Sequence, residues 1–182
     1  METFKVPTRE EVSEKNQAIF DNLEANLGFV PNLYATYAFS ETALEDYLVF
    51  QNRKTSLKSR EREVINLVVS QVNGCAYCLA AHTAIGKMNG FSDEQILEIR
   101  SGESSFDDKI DALAKFVKDI TINRSKPSPA ALEGLFSAGY TKESLIDINV
   151  VIGDKIVSNF IHGSTQIPVD FPTAPELEEA AV

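Results

Sequence analysis

Cysteine and histidine are scarce in this 182-residue chain, with two of each. So few cysteines do not make a disulfide framework, and the core has to come from apolar packing. Basic runs are missing as well, and the formal net charge is −10. That balance excludes a nucleic-acid or anionic-membrane partner and reads as a solubility feature. No apolar run approaches the roughly 20 residues that span a bilayer. The opening "METFKVPTREEVSEK" has no apolar stretch of the signal-peptide kind. On these grounds the chain is expected to be cytoplasmic. Sustained period-two alternation is also absent, and "INVVIG" is strand-like only in composition, because it sits inside a helix-period pattern.

What is present is ordinary for a globular protein: 43% hydrophobic and 24% charged residues. Helix signals recur along the chain. Thr8 with Glu11 reads as a capping box for a helix that Gly28 ends. Pro31 opens a short helical turn, and Ser40 caps a helix bearing Leu44, Tyr47, Leu48 and Phe50. Ser59 caps a helix that stops at Asn73–Gly74, and the next runs from Cys75 to Asn89, before Gly90. Ser92 with Gln95 and then Gly102 bracket another helix, and Ser105 opens a long amphipathic one. Ser128–Pro129 and Thr141 start the last two. The predicted fold class is all-α, with antiparallel helix pairs in one domain over 1–182. From about 163 to 182 a proline-bearing tail is expected to form an extended arm.

Three of the four scarce residues fall in "NGCAYCLAAHTAIGKMNG". On a helix beginning near Cys75, the spacing puts Cys75, Cys78, Leu79 and His82 along one stripe. The first turn carries free N–H groups and the positive end of the dipole, which lower a thiol pKa from about 8.5. His82, one turn after Cys78, is placed to take a thiol proton or to hold a thiolate. Two sulfurs three residues apart can also close a disulfide. Glu63, on the preceding helix, shares a face with Leu67 and Ser70. A carboxylate there needs a partner, and a helical hairpin would bring it to His82. Otherwise Glu63 is a solvated first-turn acid.

Competing uses remain for the same residues. Cys75, Cys78, His82 and the distant His162 could form a Cys₂His₂ zinc site. Acid–base work by His82 and Glu63 alone, with the cysteines only lining a pocket, would suit a lyase or isomerase acting on a small organic acid. Haem attachment is excluded, because Leu79 follows the second cysteine. Tyr77, between the cysteines, lies off the stripe and suits packing.

The set Glu63 … Cys75-Ala-Tyr-Cys78-Leu-Ala-Ala-His82 resembles the carboxymuconolactone decarboxylase-like superfamily, and within it the alkyl hydroperoxide reductase D-type, peroxidase-related branch. "GFVPNLYATYAFSETALEDY" and "NFIHGSTQIPVDFP" look like that branch's N-terminal segment and closing arm. The resemblance implies an all-helical homo-oligomer, a trimer or a hexamer. It implies a thiol-dependent peroxidase or disulfide reductase with no metal or flavin cofactor. In it Cys78 is the peroxidatic residue, Cys75 the resolving one, and His82 with Glu63 the proton relay. The implied partners are a hydroperoxide substrate and an external dithiol reductant, a lipoyl or thioredoxin-like protein. Two departures stand out. Tyr77 replaces a histidine of the best-known members, and Glu41 stands where many relatives have proline.

Overall fold

Capping residues set most helix starts. The structure is a computed structural model, and it describes residues 4–177. Among these residues the regular elements are all helical. They are α1 (Glu14–Leu27), α2 (Asn32–Tyr37), α3 (Ala43–Gln51), α4 (Ser59–Val72), α5 (Ala76–Met88), α6 (Asp93–Ser101), α7 (Asp108–Ile122), α8 (Pro129–Ser137) and α9 (Lys142–Thr165). The all-α expectation therefore holds.

Several boundaries differ from the sequence reading, each for a local reason. The Thr8–Glu11 box heads a separate short 3-10 helix, Arg9–Glu11, whereas Ser13 caps α1 by accepting from the Asn16 N–H. Thr42, not Ser40, is the cap residue of α3, although Ser40 Oγ still accepts the Ala43 N–H at 3.3 Å. Ser59 is the first residue of α4 rather than its cap. Asp107 displaces Ser105 at the head of α7, because one carboxylate oxygen accepts two backbone N–H groups, those of Lys109 and Ile110. At the far end α9 continues to Thr165, past the expected start of the arm at Gly163. Residues 166–177 contain no helix or strand, and 178–182 lie outside the described residues.

The backbone gathers into two compact units. One is the chain up to Lys54 together with Phe160–Asp170. The other is Thr55–Asn159 with the chain from Phe171 on. In the first unit, the buried Asn16 side chain donates to the carbonyls of Ala38 and Ser40, which ties the α2–α3 link to α1. Tyr37 and Tyr47 stack with centroids 4.4 Å apart.

The second unit holds a core of α4, α6, α7, α8 and residues 142–159 of α9. Val64, Ile65, Leu67, Val68 and Val69 are fully buried, so α4 is enclosed on nearly every side. Ile96, Ile99, Leu113, Phe116, Leu135 and Ile148 close around it. Each such side chain contributes about 1.5–3 kcal/mol on burial. Arg100 is also buried and donates to the Pro175 carbonyl at 2.6 Å, which ties down the last described stretch of this unit. A helix this enclosed can keep a polar residue only by giving it a partner. Four polar side chains of α4, Glu61, Glu63, Asn66 and Ser70, are buried in this way.

Candidate active site

The α4–α5 turn is made by Asn73 and Gly74. Gly74 has φ 63°, a left-handed conformation that costs glycine little. Immediately after it, the Cys75 N–H donates to the Ser70 carbonyl at 3.0 Å. Cys75 is thereby the cap residue of α5, and its Sγ accepts the Cys78 N–H at 3.4 Å. Both sulfurs are reduced and buried.

This geometry corrects one expectation. The helix N-terminus serves the Cys75 sulfur, and the Cys78 thiol is pushed up rather than down. Cys78 gives its proton to the hydrogen bond with Cys75, and burial adds to the effect. Lys155 and Asn159 act in the opposite direction. Cys78 therefore becomes a thiolate only when something takes its proton.

Glu63 lies ten residues before Asn73 and His82 eight residues after Gly74, and the α4–α5 hairpin brings them together. Glu63 Oε2 is 2.7 Å from His82 Nδ1, with 7% and 8% of the two residues exposed. The Asn66 amide donates to the other Glu63 oxygen at 3.0 Å. Glu63 is thus a partnered buried acid rather than a solvated one. Burial alone would raise its pKa, but His82, Lys155 and Asn66 outweigh that and hold it below the ordinary value. Burial first, and then the Lys155 charge, push His82 down from 6.5, against the pull of Glu63. The imidazole is therefore neutral at pH 7, with Nδ1–H donating to the carboxylate. Nε2 is left as the proton acceptor.

These shifts carry a pH signature. Below pH 6.5 the unfolded chain protonates His82 while the folded protein resists it, so stability falls as the pH drops through that value. The limiting slope for one proton is about 1.4 kcal/mol per pH unit. Glu63 extends the loss below 4.5, where the unfolded chain begins to take up its proton. Urea melts between pH 7 and 5 will show this slope, and His82→Gln will flatten it.

Sequence reasoning missed Lys155 and Asn159, both on α9 and both buried. A signal was present. Lys155 falls on the apolar stripe of Ile148, Val151 and Ile152, where a lysine is out of pattern. Tyr77 packs edge to face on Phe171 with centroids 5.7 Å apart, in keeping with its position off the stripe. Among the described residues, no group of three or more His, Cys, Asp or Glu side chains is arranged to hold a metal ion. Cys75, Cys78 and His82 do not make such a set, and His162 belongs to the other unit. No helix among the described residues is long and apolar enough to cross a membrane.

Residues 38–118 match the model of the carboxymuconolactone decarboxylase family. An uncharacterized protein of Bacillus subtilis (strain 168), YdfG, is 26% identical over 102 residues, which cover 55% of this chain and 69% of YdfG. Among solved structures, an uncharacterized peroxidase-related protein from Silicibacter sp. TM1040 superposes with a TM-score of 0.79 at 25% identity, covering 90% of this chain and 89% of its own. The alkylhydroperoxidase AhpD core of a peroxidase-related protein from Ralstonia eutropha JMP134 gives 0.78 at 21% identity, covering 88% of each chain. The debrominase Bmp8, in complex with 2,3,4-tribromopyrrole, gives 0.76 at 16% identity, covering 93% of each. With helices, turn and carboxylate–imidazole pair in place, residues 38–118 are similar to the carboxymuconolactone decarboxylase family, and the chain shares the helical fold of the alkylhydroperoxidase AhpD-type, peroxidase-related structures.

Proposed function

We propose that the protein is a thiol-dependent peroxidase that reduces organic hydroperoxides through Cys78 and Cys75. The observation that carries this reading is the buried Glu63–His82 pair behind a CxxC whose second thiol holds its proton. A neutral imidazole with a fixed tautomer is what such a thiol needs for activation. His82 takes the Cys78 proton, and the thiolate attacks the hydroperoxide O–O bond. Cys78 leaves as a sulfenic acid, and the alkoxide, reprotonated, leaves as an alcohol. The Cys75 thiol then displaces hydroxide from the Cys78 sulfur, forming the disulfide and one water. An external dithiol, on a lipoyl or thioredoxin-like partner, restores both thiols and is itself oxidised to a disulfide. The expected setting is a homo-oligomer, trimer or hexamer, in the cytoplasm.

The deciding experiment counts free thiols in the reduced protein before and after one equivalent of cumene hydroperoxide. Loss of both thiols within seconds, with an intramolecular disulfide by mass, is the expected result. Two thiols still free after several minutes would overturn the reading. A second reading is favoured by one feature: the Glu63–His82 pair is complete without the cysteines. It would serve a lyase or isomerase on a small organic acid, and turnover of such an acid unchanged in a Cys75→Ser/Cys78→Ser variant would establish it. Because the fold is shared with a debrominase that binds 2,3,4-tribromopyrrole, brominated pyrroles belong in the panel of compounds tried against the thiols.

A further inference from the structure

A thiolate at Cys78 would be a buried anion, and the elements around it differ in what they offer. Charged and titratable groups face it from several sides. Cys75 lies at the head of α5, His82 one turn along α5, and Lys155 on α9. Glu63 on α4 and Asp154 on α9 act on it through His82. The uncharged group beside it is the Asn159 amide, 4% exposed and one turn after Lys155 on α9.

The orientation of that amide is set from outside the site. Asn73 Nδ2 donates to Asn159 Oδ1 at 2.8 Å. With its oxygen held by a donor, Asn159 has to present Nδ2 to the interior. There Nδ2 reaches Ser70 Oγ at 3.4 Å, well beyond the usual 2.9–3.0 Å of an N–H···O bond. An amide gripped firmly at its oxygen and loosely at its nitrogen is poised to turn a hydrogen toward a stronger acceptor. A sulfur gaining negative charge is such an acceptor.

We propose that Asn159 donates a hydrogen bond to the Cys78 sulfur as it becomes negative, and that Asn73 turns the Asn159 amide for this role. In this role Asn159 is the donor to the reacting sulfur, while Asn73, which acts only through Asn159, is a positioning residue. The proposal rests on the reading of Cys78 as the attacking thiol, and it adds what stabilises that thiol once His82 has removed its proton. The buried Lys155 supplies the counter-charge on the same helix face.

The test reads the thiol directly and needs no peroxide. In a Cys75→Ser background, the rate of Cys78 alkylation by iodoacetamide is followed against pH. Asn159→Leu removes the donor and should raise the midpoint by about one pH unit or more. Asn73→Asp offers only acceptors, so the Asn159 amide turns its hydrogens outward and the midpoint rises similarly. Asn73 is exposed, so this variant folds even if Asn159→Leu does not. Asn73→Ser keeps a donor and should leave the midpoint near that of the parent. Repeating Asn73→Asp at 1 M salt separates the turned amide, whose effect persists, from a surface charge, whose effect is screened. A midpoint unmoved by Asn73→Asp, or a shift that vanishes in salt, would overturn the proposal. Shifted midpoints in a protein whose thiols ignore peroxide would leave this assignment standing and remove the peroxidase reading instead.

Discussion

Replacing Cys78 by serine is expected to reduce hydroperoxide turnover to the uncatalysed level, because the proposed cycle makes Cys78 the sulfur that accepts the oxygen. Cys75→Ser should behave differently. It keeps a hydroxyl at the head of α5, so the cap survives, but it removes the sulfur that closes the disulfide. One equivalent of peroxide should then leave Cys78 as a sulfenic acid that dimedone traps, seen as one adduct by mass, with no further turnover. The roles are separable because the two sulfurs sit differently. Cys75 receives the helix N–H, whereas Cys78 holds a proton that His82 has to remove. Full activity in Cys78→Ser would dismiss the peroxidase cycle, and dimedone labelling at Cys75 would reverse the roles.

The second large effect belongs to Glu63→Gln, a change of one atom. Asn66 Nδ2 donates to Glu63 Oε1 at 3.0 Å and would hold the amide oxygen of the replacement in that place. The amide nitrogen then faces His82 Nδ1 and donates to it. That inverts the imidazole tautomer, so Nε2 carries the hydrogen and cannot take one from Cys78. We expect kcat/KM for peroxide to fall by about 10²- to 10⁴-fold, the usual worth of a positioned base. Stability should change little, since both hydrogen bonds are kept. Glu63→Ala, by contrast, should also cost about 1.5–3 kcal/mol in a denaturant melt, because it removes a hydrogen bond to a charged group. Activity of Glu63→Gln within about twofold of the parent would mean that the pair is structural.

The site was legible in outline because most of it is local. Cys75, Cys78 and His82 share one helix, and Glu63 lies just across a turn whose position Asn73–Gly74 announces. Helix period and hairpin geometry then leave little freedom. Helix starts were legible where one side chain had no competitor, as at Ser92 and Ser128. They were misread where two polar residues competed. Ser13 took α1 from Thr8, and Asp107 took α7 from Ser105. The stronger cap is decided by which oxygen meets the N–H groups, and that depends on backbone angles the sequence does not display.

By itself, then, the sequence determined the helical class, the thiol–imidazole stripe, and the requirement that Glu63 find a partner. Each follows from periodicity or from the cost of an unpaired buried charge. Only the tertiary structure decided which sulfur takes the helix N–H, why Cys78 keeps its proton, and that His82 stands neutral. It alone brought Lys155 and Asn159, far along the chain, to bear on the Cys78 sulfur. These properties depend on burial and on distances between helices remote in sequence. A single lysine placed among apolar neighbours was the only trace they left in the order of residues.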